Sequence, residues 1–398
     1  MFVDIEFFGE DPIDNVIACL KFKFDKVIFL GYVDEAMDRV ARETVERFLR
    51  SEKVDVKEVR FVEMPSADYE QVQERLCEVI REELAAKNQC YMDLSGGDEI
   101  VLVAAGAAAT QYGVPMHEVD VVEDKVNILR GSEQYEDIPK RSLYLGVEEF
   151  MNLHEAVIAW NYQKTLAPVS CSDEEKNRIM NFQRYIDGLG LKKWNKISFG
   201  LANLCAKQPL PVCCSEGKVA IAANAVRMSR RTFLTELQAL YTHGFLSDFF
   251  FNGRTLRLDF HSEWERHILC KAGTALEYYV YFKAIQKPEI NECVMNCYLD
   301  WEGDGNPKYR DMAGDDVCNE VDVLYMRKNI PTFISCKNYH VSEKKFFTSW
   351  RPWPTASAAP MSKKYCSQGM GLANPLKTGR KKWGYGLSRI YDGKINTF

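Results

Sequence analysis

Two charged residues interrupt runs that otherwise alternate like buried β-strands. Asp322 stands among Val321, Val323 and Leu324; Lys337 follows Phe333 and Ile334, and a turn at Asn329 to Pro331 separates the runs. Side chains alternate along a strand, so Glu320 and Asp322 share one face of the first run, and Ser335 and Lys337 share one face of the second. Pairing the runs brings two carboxylates and an ammonium together, and Glu277, in the apolar helical segment 271–285, adds a third carboxylate. Buried acids are costly unless a cation neutralises them. A hard divalent ion with oxygen ligands does so. The plainer alternative is a buried Asp–Lys pair that only ties two strands together.

The elements that must position these residues begin far upstream. Apolar runs at 3–8, 26–31, 58–64, 90–95, 116–122 and 126–130 read as strands, and between them Val40, Val45 and Leu49, then Val72, Leu76, Val79 and Ile80, recur at helical spacing. Strands alternating with helices predict a Rossmann-like, doubly wound, mostly parallel α/β sheet, which binds ligands at the carboxyl ends of its strands. Gly9 and Glu10 directly follow the first strand, with Pro12 opening a helix before Asn15; Ser95, Gly96 and Gly97 follow the fourth, with Asp98 placed to cap the next helix. Glycine turns at helix N-termini suit phosphate. Neither stretch fits GxGxxG or a Walker A loop, and two tight turns account for them equally well.

Residues 146–170 read as a linker helix. The segment 171–262 reads as winged-helix-like: Ser229 caps a helix carrying Phe233, Leu237 and Leu240, Gly244 ends it, and Asn252-Gly253 joins two strands. Arg227, Arg230 and Arg231 are placed to touch phosphate, although such modules often serve only as packing between domains.

At 398 residues with 46% hydrophobic content the chain is long enough for two or three cores. Its 13 cysteines form no CxxC and its six histidines no HExxH, so reduced, packed thiols are expected and a zinc motif is not. The longest apolar stretch, 100–110, is far short of a bilayer span, so a cytoplasmic protein without membrane contact is expected.

Taken together, helix Glu277, strand Asp322 and the strand triplet Ser335-Cys336-Lys337 resemble the PD-(D/E)xK nuclease core. "NEVDVLY" followed by "FISCKN" is similar to that core in CRISPR-associated nucleases with a CARF domain, and the N-terminal half resembles the CARF domain itself, with "GEDPIDN" and "DLSGGDE" where that family binds cyclic oligoadenylate. The resemblance covers residues 1–345. It implies a CARF-like sensor (1–145), the linker helix, the winged-helix-like connector and a restriction-endonuclease-like α/β domain (263–346). The implied activity is cutting of DNA or RNA with Mg²⁺ or Mn²⁺ in type III antiviral defence by a prokaryotic homodimer. A cyclic oligoadenylate is the implied activator, cyclic tetra-adenylate being the first candidate with ring size left open, bound through Gly9, Glu10, Asn15, Ser95, Gly96, Gly97 and Asp98.

By the same resemblance Asp322 is the central metal ligand, Lys337 stabilises the attacking hydroxide or the transition state, and Glu277 serves a second metal or a water. Ser335 departs from the family's usual carboxylate. Glu320 or Glu277 then stands in for it, and the Cys336 carbonyl completes the ligand set. The rival class is a ligand-responsive winged-helix transcription regulator without nuclease activity.

The end of the chain has its own signature. From Glu343 onward there are 11 Lys/Arg against two acids, leaving 40 against 55 before it, and no acid lies between Lys344 and Tyr391. Neither helical nor strand periodicity is evident in 347–398. Regrouping the codons one base earlier permits a helix followed by a strand, so two readings stay open: a frameshifted ending, or a native basic tail that grips nucleic acid.

Overall fold

The computed structural model describes residues 1–9, 11–32, 39–64, 68–160, 172–300, 318–336, 386–391 and 394–397. In the N-terminal part, apolar alternation becomes six strands, β1 (Phe2–Phe7), β2 (Lys26–Tyr32), β3 (Glu58–Met64), β4 (Gln89–Asp93), β5 (Met116–Asp120) and β6 (Lys125–Arg130), interleaved with helices α1 (Ile17–Lys21), α2 (Arg39–Leu49), α3 (Tyr69–Ala85) and α4 (Glu99–Tyr112). They form one sheet in the order β3-β2-β1-β4-β5-β6, parallel except for β6. The order reverses between β1 and β4, which opens a crevice at their carboxyl ends. Pro12 opens no helix: it lies in a turn, and α1 begins only at Ile17. Val3 and Ile5 of β1 pack with α3 and α4 in one core, so Asp4 and Glu6 face the opposite side.

The segment after β6 is more than a linker. Its helix α5 (Val147–Leu153) is followed by β7 (Val157–Trp160), which pairs with a strand some 140 residues later. The middle of the chain forms α6 (Asp173–Leu189), α7 (Leu191–Cys205), β8 (Val212–Ser215), α8 (Glu216–Ala225), α9 (Arg230–Thr242), β9 (Asp248–Phe251) and β10 (Thr255–Asp259), with the three strands in one antiparallel sheet ordered β8-β10-β9. Ser229 caps α9 as its position suggested, its side chain accepting from Thr232 N at 3.1 Å.

Then come α10 (Glu263–Cys270), α11 (Thr274–Ile285), β11 (Ile290–Asp300), β12 (Cys318–Arg327), β13 (Ile330–Cys336), β14 (Gly386–Tyr391) and β15 (Lys394–Thr397). The final sheet runs β15-β14-β13-β12-β11-β7. In the basic tail, where no strand periodicity is legible, β14 pairs in parallel with β13 and β15 pairs antiparallel with β14.

In this last sheet β11, β12 and β13 are buried on both faces. Cys297, Leu299, Leu324 and Phe333 share a core with Phe8, Phe29 and Phe150 of the N-terminal elements, while Met295, Val323, Ile334 and Cys336 share one with Phe182, Trp194 and Phe282 of the helices. Polar ties reinforce the first of these junctions: Leu145 N donates to Asn329 Oδ1 at 2.8 Å, Val147 N to Glu292 Oε2 at 2.8 Å, and Lys328 approaches Asp124 at 3.6 Å. The described cysteines are free thiols, mostly buried, and no helix among the described residues is long and apolar enough to cross a membrane.

Asn329 is 2% exposed, so Asn329→Ala leaves Leu145 N without its acceptor away from water. Urea denaturation of this variant should show a loss of about 1–3 kcal/mol.

Candidate functional site

The crevice between β1 and β4 is walled by two short loops. In the first, Asn15 is 1% exposed and spends its amide on one residue, accepting from Gly9 N at 2.7 Å and donating to Gly9 O at 3.0 Å. It therefore acts by holding the loop shut. In the second, Ser95 N and Ser95 Oγ donate to Asp93 Oδ1 at 2.7 and 2.5 Å, and Ser95 Oγ accepts from Val119 N at 2.8 Å. Gly97 has φ of +118°, a conformation open to glycine, and a Cβ on Gly96 would lie 3.1 Å from the Asp14 side chain. The two loops thus abut with no spare side-chain volume. Asp98 caps α4 through Val101 N at 2.9 Å and accepts from the Tyr32 hydroxyl at 3.4 Å. Burial, with the Asp98 charge beside it, pushes the Tyr32 phenol up to about 12. Glu10 lies outside the described residues. The second loop leads into the N-terminus of α4, where Gly97 is exposed, a setting for anions.

Beneath these loops lies a group that sequence reasoning missed. Asp4, Glu6, Asp93 and His117 are each 5% exposed or less. Ligand atoms of Asp4, Asp93 and His117 lie within 4.8 Å of one another, the one such trio of His, Cys, Asp or Glu among the described residues. Burial raises the Asp4 and Glu6 carboxyls well above the usual range, and the charges of their acidic neighbours add to it. Burial also lowers His117, against the pull of Asp93. The signal was present in "VDIEF": two acids alternating with apolar residues in a buried strand, the same signature that singles out Asp322.

At the C-terminal centre the sequence pattern breaks in an informative way. Val321 packs into the core shared with the N-terminal sheet but Val323 into the opposite one, although a regular strand would send both the same way. Across from them Cys297 and Met295 split likewise, around Asn296 at φ of +54°. Asp322 sits at this inversion, 5% exposed. The β12–β13 ladder stops at Val323 and Ile334, and beyond it Asp322 Oδ2 accepts from Cys336 N at 2.6 Å and from Ser335 Oγ at 3.2 Å. The carboxylate replaces the next rung of backbone bonding.

Asp322, Ser335 and Cys336 are therefore brought together. Glu277 is buried on α11, at 7% exposure, and Glu320 is half-buried on β12, but these two and Asp322 do not gather into one trio of ligand atoms. Lys337 lies outside the described residues.

No protein-family model and no curated protein sequence matches the chain. Solved structures do. The fold is similar to that of protein VC1899 from Vibrio cholerae (TM-score 0.58, 16% identity, covering 86% of this chain and 81% of that one). It is also similar to that of Can2 from Sulfobacillus thermosulfidooxidans, whose structure was solved in complex with cyclic tetra-adenylate (TM-score 0.53, 16% identity, 87% and 83%). At this identity the likeness shows a shared fold.

The bonds to Asp322 distinguish its variants. Asp322→Ala strands the buried Cys336 N–H and should lose about 1–3 kcal/mol in chemical denaturation. Asp322→Asn, which keeps an acceptor, should retain most of that stability.

Proposed function

We propose that the chain is a metal-dependent endonuclease of type III CRISPR defence, switched on by a cyclic oligoadenylate of the cyclic tetra-adenylate kind. The observation that carries this reading is the extent of the fold match to Can2, 87% of the chain. Two features of this chain support it: a sheet with paired glycine loops at its switch point, and a second sheet with a carboxylate set into a broken strand. In this reading the N-terminal sheet is the CARF-like sensor, the middle segment is winged-helix-like, and the C-terminal sheet is the PD-(D/E)xK nuclease. Gly9, Ser95, Gly96, Gly97 and Asp98 frame the ring phosphates, with Glu10 at the rim and Asn15 bracing the first loop.

Asp322 is the anchor for Mg²⁺ or Mn²⁺. The oxygens that would serve it are those of Asp322 and the Cys336 carbonyl, with Glu277 or Glu320 drawn in only on ion binding, since they do not gather with Asp322 here. They suit an ion that takes one or two carboxylates and completes its shell from water and substrate phosphate. When bound, that ion supplies Lewis acidity at the scissile phosphate and a water of lowered pKa. The chain's own part is orientation. Cys336 N and the Ser335 hydroxyl fix the Asp322 carboxylate, and Lys337, one residue past β13, stabilises negative charge developing on the phosphate. A two-fold ligand suits a sensor pocket shared by two copies, so a homodimer is the proposed assembly. Activation then requires tighter ligand binding in the cutting-competent arrangement.

A second reading draws on one feature of the middle segment. A cleft of about 640 Å³ is lined by Lys192, Lys193, Lys196 and Arg227 beside the Ser229-capped start of α9. Such a cleft suits phosphate and would serve a duplex-binding regulator.

Purified chain incubated with Mn²⁺ and cyclic tetra-adenylate separates the two. Cleavage of DNA or RNA that falls by about 100-fold or more in Asp322→Asn and Lys337→Ala supports the nuclease. Gly97→Asp should raise the activator concentration needed, because its carboxylate repels ring phosphate and its backbone cannot hold the glycine geometry. Salt-sensitive duplex binding without cleavage, lost in Lys196→Glu, supports the regulator instead.

A further inference from the structure

We propose that Asp4, Asp93 and His117, with Glu6 beside them, hold a first-row divalent cation of the zinc or manganese class inside the N-terminal sheet, where it braces the Ser95–Gly97 turn. The donors come from three adjacent strands, β1, β4 and β5, on the face turned away from α3 and α4. Glu6 Oε1, Asp93 Oδ2 and His117 Nε2 are buried with no hydrogen-bond partner, and the fully buried Asp4 carboxylate has no partner beyond the neighbouring Ile5 backbone. Among the described residues no Lys or Arg pairs with any of the three carboxylates, and His117 Nε2 stops 3.7 Å from Asp93 Oδ2. Side chains left so are rare in folded interiors, and a group of them facing one another calls for an occupant.

The surroundings are those of ligating side chains. His117 Nδ1 is engaged by the Tyr135 hydroxyl at 2.9 Å, which leaves Nε2 directed at the carboxylates. Asp93 Oδ1 is held by Ser95 N and Ser95 Oγ, so its Oδ2 is the atom turned inward. Donors bound at about 2.0–2.2 Å to one ion lie no more than about 4.4 Å apart, so atoms within 4.8 Å need only a slight contraction. An imidazole among carboxylates favours zinc, manganese or iron over magnesium and calcium.

The consequence concerns the loop above. Asp93 is the last residue of β4, and its outer oxygen carries Ser95. An ion that pins the inner oxygen also pins the turn that frames the proposed ring-phosphate site. This centre is separate from Asp322 and stands whether or not the chain cuts nucleic acid.

The test uses the full chain in the Asp322→Asn background, stripped with EDTA, reloaded with Zn²⁺ or Mn²⁺, desalted and assayed by elemental analysis and melting. About one equivalent should be retained and the melting temperature should rise with the metal. Both effects should vanish in Asp4→Asn and Asp93→Asn, which keep shape while removing charge. Should those variants fail to fold, X-ray absorption of the zinc-loaded Asp322→Asn chain decides: one imidazole in an otherwise oxygen shell supports the site. Retention below about a tenth of an equivalent, retention unchanged in both Asn variants, or sulfur in the zinc shell overturns it.

Discussion

A carboxylate sunk in an extended strand must find donors or a cation, because the interior does not solvate it. Asp322 meets this constraint by becoming part of the backbone scheme. It takes the amide of Cys336 just where the β12–β13 ladder ends, and the same spot is where the side-chain alternation of β12 inverts. The strand is broken so that the acid can be held. The N-terminal sheet poses the problem again, more severely, at Asp4, Glu6 and Asp93, where three acids and a histidine share a dry space with far fewer donors.

The layering explains how the two halves can communicate. The C-terminal sheet carries one core on each face, shared with the sensor-like sheet on one side and with α6, α7 and α11 on the other. Packed cores of this kind do not deform continuously, so under the proposed activation a change at the crevice of the first sheet would pass on as a discrete shift of the second. The tie from Asn329 to Leu145 and the approach of Lys328 to Asp124 set the turn between β12 and β13 against the N-terminal elements. That turn joins the strand of Asp322 to the strand of Ser335 and Cys336.

Much of this was legible in the residues, for identifiable reasons. The six N-terminal strands and α2 and α3 were plain because their apolar periods are clean, and α4 and α9 because Asp98 and Ser229 sit at true caps, whereas the helix expected at Pro12 begins only at Ile17. Asp322 was legible because a charge inside "VDV" contradicts the pattern around it. The acids of "VDIEF" carried the same contradiction, but their partners, Asp93 and His117, lie on strands about 90 and 110 residues away, and only the sheet order brings them together. The role of β7 was hidden for a similar reason, since a four-residue strand behind a helix looks like a connector until β11 pairs with it. The strand inversion at Asp322 could not be foreseen from alternation, because alternation is the rule it breaks. Pairing of β14 with β13 was likewise invisible in a tail without apolar periodicity.

The central claim is that Asp322 serves chemistry and does more than tie β12 to β13. Crystals of the chain soaked in Mn²⁺ and measured at a wavelength sensitive to manganese test this directly. An anomalous peak is expected against the Asp322 carboxylate. A map with no manganese there, at a soak concentration that labels other carboxylates of the molecule, would contradict it and leave Asp322 as a strand clasp alone.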